Sequence, residues 1–421
     1  MKWPMCSLKE IAIDIQPGFA RQPKDGSESL PQLRTNNISP EGHLDLSLVK
    51  NVPVSTREIE RYSLRPGDIL FNNTNSADLV GKTAFFDNDD GLFLFSNHMT
   101  RIRVNEKFAD PRYIARYLYW TWKTGGFRRM VTRWVNQAAI NKKMLGSVAV
   151  PLPPPSEQRR IVEILDQADA LRKKRAEADA KATRILPALF YKMFGDPATN
   201  PKGWPIKTLR ELSIGGPQYG ANAKAIDYKT GAPRYVRITD ITDDGHLTDA
   251  DIKTLDLDDW ETYRLVEGDL LFARSGATVG KTYLYQPEDG LCAYAGYLIR
   301  FKLDTTSIDP WVVFAFTHTP YYHLWVASKR RTAAQPNING QEYASLRLPQ
   351  PDRQTQQQFV CLARELRASH GKRKQVASRI QKLFDVLLHR AFTGDLTAQW
   401  REAHMKELLE EMEQQVRALG A

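Results

Sequence analysis

The chain states one pattern twice, about 200 residues apart. Arg34-Thr-Asn-Asn-Ile-Ser-Pro-Glu-Gly42-His43-Leu44 returns as Arg237-Ile-Thr-Asp-Ile-Thr-Asp-Asp-Gly245-His246-Leu247. Gly67-Asp68-Ile-Leu-Phe71 returns as Gly268-Asp269-Leu-Leu-Phe272, and Gly81-Lys82-Thr83 as Gly280-Lys281-Thr282. Arg133-x3-Gln137-x2-Ile140-Asn141 returns as Arg331-x3-Gln335-x2-Ile338-Asn339. The offset falls only from 203 (34 to 237) to 198 (133 to 331), so few insertions separate the copies. A period this long marks duplicated domains, because solenoid repeats run about 20–50 residues. Two like modules on one chain are suited to two like halves of an extended target.

Charge narrows the class of target. A formal net charge of +10 over 421 residues attracts polyanions and makes nucleic acid the leading partner. No stretch approaches the ~20 apolar residues of a membrane span, and Met1-Lys-Trp-Pro-Met-Cys6 lacks the apolar core of a signal peptide. Cys6, Cys292 and Cys361 are far apart, which suggests neither a disulfide framework nor a zinc site. The expectation is a reduced, cytoplasmic protein with no membrane partner.

Each copy divides into two parts. Residues 1–152 and 197–350 carry short apolar runs such as Leu92-Phe-Leu-Phe95 and Leu298-Ile-Arg-Phe301 between Gly, Pro, Asn and Asp, the pattern of strands and turns. Helices are expected at about 110–130, opened by Pro111, and at about 310–328, opened by Pro310. Each globular part is therefore a mixed α/β (α+β) domain. Residues 153–196 differ: Ser156 is placed to cap a helix, and Ile161, Ile164, Ala168, Leu171, Ala178, Ala182, Ile185 and Leu189 step by threes and fours. Pro187 is expected to kink its last turns. A matching helix follows Pro351, with Phe359, Leu362, Leu366, Val376, Ile380, Leu383 and Leu387 on one face and Gly371 at its middle. Neither helix hides its seam alone, so the expected solution is an antiparallel two-helix coiled coil with a similar domain at each end, a pseudo-two-fold repeat. Residues 351–421 end in a short amphipathic helix (Leu408, Leu409, Met412, Val416), suited either to packing on the rod or to docking a partner.

Several motifs do not survive inspection. Gly276-Ala-Thr-Val-Gly280-Lys281-Thr282 is one residue short of a P-loop, and strand-like residues follow it where a helix is needed. No Gly-x-Gly-x-x-Gly follows a strand, and no Asn/Asp-Pro-Pro-aromatic tetrapeptide of amino-methyltransferases is present. Asp251-Ile-Lys253 lies in a window, 235–270, with eleven acidic and three basic residues, which fits an exposed acidic surface better than a nuclease centre. His43 and His246 recur without a second ligand nearby in sequence and are read as turn histidines. The chain is expected to have no catalytic residues and to bind no cofactor or metal directly.

Two features point to DNA. The acid-free window 121–143 interleaves Lys123, Arg128, Arg129, Arg133, Lys142 and Lys143 with Trp122, Phe127 and Trp134; its counterpart carries Lys329, Arg330 and Arg331 beside Tyr321, Tyr322 and Trp325. Clustered cations neutralise phosphates; Gln137 and Gln335 can pair with adenine and arginine with guanine in the major groove, although the glutamines could equally tie down a loop. The second feature is a loop whose frame is kept while its chemistry changes: Asn72, Asn73, Thr74, Asn75 and Ser76 in one copy, Ala273 to Thr278 with Arg274 and Ser275 in the other. Together with Lys82, Lys281 and Asn337, these residues are the candidate DNA contacts. Turn chemistry also favours Asn, Ser and Gly, but a turn needs no arginine.

Domain, long helix, domain, long helix, with Leu152-Pro-Pro-Pro-Ser-Glu157-Gln158 at the first helix, resembles the DNA specificity subunit of type I restriction–modification systems. The Gly-Asp-[Ile/Leu]-Leu-Phe, Gly-Lys-Thr and Gln-x-x-Ile elements recur in that family's target-recognition domains; the second helix start, Leu348-Pro-Gln-Pro-Asp-Arg-Gln-Thr-Gln356, departs from it by lacking the Glu-Gln pair. The resemblance implies a non-catalytic subunit whose two target-recognition domains read the halves of a split double-stranded DNA target. It also implies two methyltransferase subunits using S-adenosylmethionine and motor–nuclease restriction subunits using ATP and Mg, so that the cofactors sit on the partners. A stand-alone DNA-binding protein, or a component of another phage-defence complex, is the alternative on the same architecture. If the helices set the spacer, four residues inserted into the first of them should lengthen the spacer found by methylome sequencing; an unchanged spacer would refute this.

Overall fold

The computed structural model describes residues 3–20, 28–133, 137–330 and 337–419. The chain separates into two compact units, Met1–Lys173 with Ser378–Ala421, and Lys174–Ala377. Both are mixed α/β. The first contains strands β1 (Ala12–Pro17), β2 (Ile69–Asn72), β3 (Thr83–Phe85) and β4 (Met99–Val104) and helix α1 (Pro111–Lys123). Helix α2 (Pro155–Ala182) runs from the first unit into the second, which continues with α3 (Ile185–Phe194), β5 (Gln218–Tyr219), β6 (Leu270–Ala273), β7 (Thr282–Leu284), β8 (Leu298–Phe301), α4 (Pro310–Phe316) and α5 (Pro320–Arg330). Helix α6 (Arg353–Thr393) returns to the first unit, where α7 (Ala398–Ala403) and α8 (Met405–Leu419) complete the chain. Among the described residues no helix is long and apolar enough to cross a membrane.

The repeat is visible as one sheet built twice. Its order is β1-β4-β2-β3 in the first unit and β5-β8-β6-β7 in the second, with every pairing antiparallel. The Gly-Asp-x-Leu-Phe motif supplies the strand β2 or β6, which is buried along its whole length. Alternation of side chains sends Ile69 and Phe71 to one core and Leu70 to another; Leu270 and Phe272 part from Leu271 and Ala273 in the same way. The motif's aspartate is buried beneath the strand, meeting Arg103 at 2.6 Å from Asp68 and Arg300 at 3.3 Å from Asp269.

The Gly-Lys-Thr motif is a turn, not a phosphate cradle. Gly81 and Gly280 have φ of +96° and +92°, and a Cβ would lie 2.6 Å from Phe127 or from Val326, so only glycine fits. The lysine that follows donates to a main-chain carbonyl across the domain: Lys82 Nζ to Ile38 O and Lys281 Nζ to Ile241 O.

Helix boundaries depart from the sequence reading wherever proline intervenes. Asp110 and Asp309 cap α1 and α4, each followed by proline at the first helical position. The helix expected over 310–328 breaks instead at Thr317–Thr319, because Pro320 has no N–H to continue the ladder and starts a new helix. Helix α2 begins at Pro155, so Ser156 sits inside the first turn and is not the cap; its N–H donates to Glu411 of α8 at 3.0 Å. The break before α3 falls at Thr183–Arg184, with Pro187 in the first turn that follows.

In the first unit the partners of α2 step back from Thr397, at Glu157, to Phe384, whose ring lies under Arg172. In the second, Asp179 meets Arg373, and Phe190 and Phe194 meet Phe359. Both helix pairs are therefore antiparallel. The buried stripe is not the expected one: Ile161, Val162, Leu165 and Ala168 face Phe384, Leu388 and Ala391, while Leu171, Ile185, Leu362, Val376 and Leu383 are exposed. Packing on the globular part rotates the stripe away from a pure two-helix seam. Gly371 does not interrupt α6.

One glutamine ties each long helix to its domain. Gln158 donates to Pro153 O at 2.8 Å and Phe108 O at 3.0 Å and accepts from Asp110 N–H at 2.8 Å. Gln356, 198 residues later (356 − 158), donates to Pro351 O and Ser307 O and accepts from Asp309 N–H at 2.8 Å. The second copy thus keeps the glutamine that its altered sequence concealed. Glu157 is buried and held by Arg401, Thr397 and Trp3, and Gln415 of α8 donates to Phe108 O at 2.7 Å, so the C-terminal helices pack on the first unit. Gln356→Leu removes the partner of the Asp309 N–H and of the buried Pro351 carbonyl, while Ser307 O keeps Gln350, and is expected to lower stability by about 1–3 kcal/mol in urea unfolding.

His43 has a distant partner that the sequence hid. Its Nε2 lies 2.8 Å from Asp169 on α2, which also receives Arg116 at 3.0 Å and Arg172 at 3.1 Å. Burial works to raise the Asp169 carboxyl, but His43 and Arg116 outweigh it and hold the group well below the usual carboxylate range. A carboxyl depressed in the folded state stabilises the fold above its unfolded value of about 4, and that stabilisation is lost as pH falls below it. Asp169→Asn should therefore flatten the acid limb of the first unit's pH–stability curve; an unchanged limb by circular dichroism would rule the cluster out.

Candidate nucleic-acid interface

The two features singled out by sequence meet at one place in each unit. In the first, β2 ends at Asn72 and the chain turns into a two-residue strand, Thr74–Asn75, which pairs with Ala138–Ala139; that segment pairs in turn with Thr132–Arg133. The register is fixed by a main-chain hydrogen bond from Ile140 N to Asn73 O at 2.9 Å. In the second unit, Ile338 N donates to Arg274 O at 2.8 Å and Ser275 bridges to Asn337. In the first unit the segment before Ile140 is thus a strand addition to the loop, and in the second the Ser275–Asn337 bridge holds the corresponding place. The isoleucine of each unit is buried, and the next residue, Asn141 or Asn339, caps a short helix.

This geometry sorts the candidates into framework and surface. Asn72 and Asn73 are buried, and their amides donate to Leu79 O at 3.1 Å and to Thr100 Oγ1 at 2.9 Å. Lys82 is also buried, its ammonium spent on Thr35 O and Ile38 O, and burial lowers its proton affinity. These three shape the loop from within and are withdrawn as surface contacts. Thr74 and Asn75 are half-buried, and Ser76, Gln137, Arg128, Arg129 and Lys142 are exposed. Arg128 leans toward Asp78 at 3.5 Å, an exposed pair that holds it only weakly.

In the second unit Arg274 lies over the Tyr219 ring at 5.0 Å, with its Nε 3.4 Å from Asn337 Oδ1. Tyr219, which sequence reasoning missed, accepts Gly340 N–H at its hydroxyl at 3.1 Å and so fixes the platform beneath the guanidinium. Nothing in its local sequence marks it, because its partners come from 55 and 121 residues away (274 − 219 and 340 − 219). Ser275 and Thr278 are half-buried, Thr278 donating to Ser275 O at 3.4 Å. Lys281 is held between Ile241 O and Asp243 at 2.9 Å. Lys329 lies 5.8 Å from the Trp325 ring centre. Arg331 and Gln335 lie outside the described residues, as do the side chains of Arg133 and Arg330.

The motifs discounted from sequence have structural partners. Asp251 and Lys253 pair with each other at 2.9 Å and with Arg237 and Asp227. Gly276–Thr278 is a single 3-10 turn and Thr282 opens a strand.

Residues 3–179 match the family described as the type I restriction modification DNA specificity domain. Over 403 residues the chain is 26% identical to the type I restriction enzyme EcoKI specificity subunit of Escherichia coli (strain K12), covering 88% of this chain and 83% of that one. Residues 3–179 thus match a type I restriction modification DNA specificity domain, and the chain is similar to a specificity subunit over most of its length. A putative MjaX specificity subunit of Methanocaldococcus jannaschii is 29% identical over 170 residues, 40% of either chain, so the match spans less than half of that relative. The S subunit from M. genitalium shares the fold, with a TM-score of 0.51 at 11% identity over 93% of this chain and 96% of that one. A chain from a structure of a type I R-M system gives 0.53 at 19% identity over 94% and 98%.

Proposed function

We propose that this chain is a type I restriction–modification specificity subunit, the non-catalytic, sequence-reading component of a complex, each unit reading one half of a split double-stranded DNA target. The observation that carries this reading is the strand addition described above. It fastens a loop whose chemistry differs between the copies, Thr74–Ser76 against Arg274–Thr278, to the segment that leads out of the basic window. Cations of that window, Arg128, Arg129 and Lys142, supply phosphate contacts, while the loop supplies base contacts. Arg274 is the leading base reader, since a guanidinium placed over the Tyr219 ring is positioned for the two acceptors of guanine. The two units share a scaffold but present different loops, so the target is asymmetric.

Methyltransferase and restriction subunits are the proposed protein partners, carrying S-adenosylmethionine, ATP and Mg. The long helices support this by leaving apolar side chains uncovered, Leu171, Leu383 and Val386 in the first unit and Leu362 and Val376 in the second.

Binding to oligonucleotide sets at several salt concentrations tests the assignment. Arg274→Ala should relax discrimination by about 1–3 kcal/mol at one position of one half-site, and Arg129→Ala should weaken all sequences alike and reduce the salt slope by about 1. An Arg274→Ala protein with unchanged discrimination at every position would remove Arg274 from base reading.

A further inference from the structure

The second unit contains a cluster that DNA reading does not use. The turn from Thr242 to His246 brings Asp244 and His246 against His370 of α6, and one donor atom from each lies within 4.8 Å of the others. The imidazoles of His246 and His370 stack with centroids 3.6 Å apart and planes at 17°. His246 Nδ1 is 3.3 Å from Asp244 Oδ1, yet that ring nitrogen is buried and has no hydrogen bond of acceptable geometry. Asp244 is oriented by the Thr242 hydroxyl at 2.5 Å, and the same hydroxyl accepts the His246 N–H at 3.0 Å. The cluster borders a cavity of about 120 Å³ that is also lined by Phe314, His318 and Arg373.

We propose that Asp244, His246 and His370 bind a divalent transition metal of the zinc class, which fastens this turn to α6. Two imidazoles and a carboxylate are a zinc donor set, with a fourth position left for water. The donors need to close by roughly 1–2 Å to reach bonds of ~2.0–2.2 Å, within the range of side-chain rotation. Ligation requires neutral imidazole and ionised carboxylate. Burial pushes His370 down to about 4, and although burial works to raise Asp244, the adjacent His246 and Thr242 hold it well below the usual carboxylate range. Of the neighbouring cations that would oppose a metal, Lys374 is paired with Asp249 and Arg373 lies 3.9 Å from Asp179. The scaffold does not demand the cluster. At the equivalent positions the first copy has Glu41, His43 and Arg172, a guanidinium has no lone pair to give, and His43 is bonded to Asp169.

The test titrates the full chain, stripped of metal by chelation, with Co²⁺ and then Zn²⁺. One Co²⁺ per chain is expected, with visible absorption that Zn²⁺ abolishes at one equivalent. Folded His246→Gln and His370→Gln proteins should bind none, and His43→Gln should still bind one. Asp244→Asn, which keeps the shape of the turn if the histidine variants fail to fold, should weaken Co²⁺ at least about tenfold. A wild-type chain that binds no Co²⁺, or Asp244→Asn and folded histidine variants that bind it unchanged, would overturn the site.

Discussion

One main-chain hydrogen bond decides where the variable loop of each unit can go. Ile140 N to Asn73 O, and Ile338 N to Arg274 O, join a loop at the end of the central strand to a segment 67 or 64 residues later (140 − 73 and 338 − 274). The bond uses only backbone atoms, so it is indifferent to the side chains it carries. The same register therefore holds Asn73-Thr-Asn-Ser in one copy and Arg274-Ser-Gly-Ala in the other. A scaffold that fixes loop position through backbone leaves loop chemistry free to change, and a pair of such scaffolds is suited to reading two different half-sites.

The surrounding repeat serves that bond. Gly81 and Gly280 return the chain under Phe127 and Val326, and Lys82 and Lys281 anchor the turn to Ile38 O and Ile241 O. Gln158 and Gln356 fix the start of each long helix to the cap of α1 or α4. In each unit these interactions join the loop after the central strand to a rigid frame through groups that are almost all buried, where an unmade hydrogen bond is costly.

Much of this was legible in the sequence because repetition marks what the scaffold needs. The strands Ile69–Asn72 and Leu270–Ala273 and the helix starts at Pro111 and Pro310 fall where spacing and turn chemistry put them. What escaped depends on contacts between distant residues. The hydrophobic seam on α2 was misplaced because Val162 and Leu165 pack on the globular part as well as on α6. Asn72 and Asn73 resemble surface turn residues in composition, but the strand that ends there is central and draws their amides inside. His43 and His246 looked partnerless because Asp169 and His370 are 126 and 124 residues away (169 − 43 and 370 − 246). Pro320 was visible and its effect underestimated: an apolar pattern continued across it, but the missing N–H divides the helix.

The central claim is that two equivalent frames present two different reading loops. Methylation-aware sequencing of DNA from cells expressing this chain with the methyltransferase subunit proposed as its partner tests it most directly. The account predicts one target made of two specified parts with different sequences, separated by unspecified bases. An uninterrupted target, or one in which the same half-site occurs twice, would contradict it.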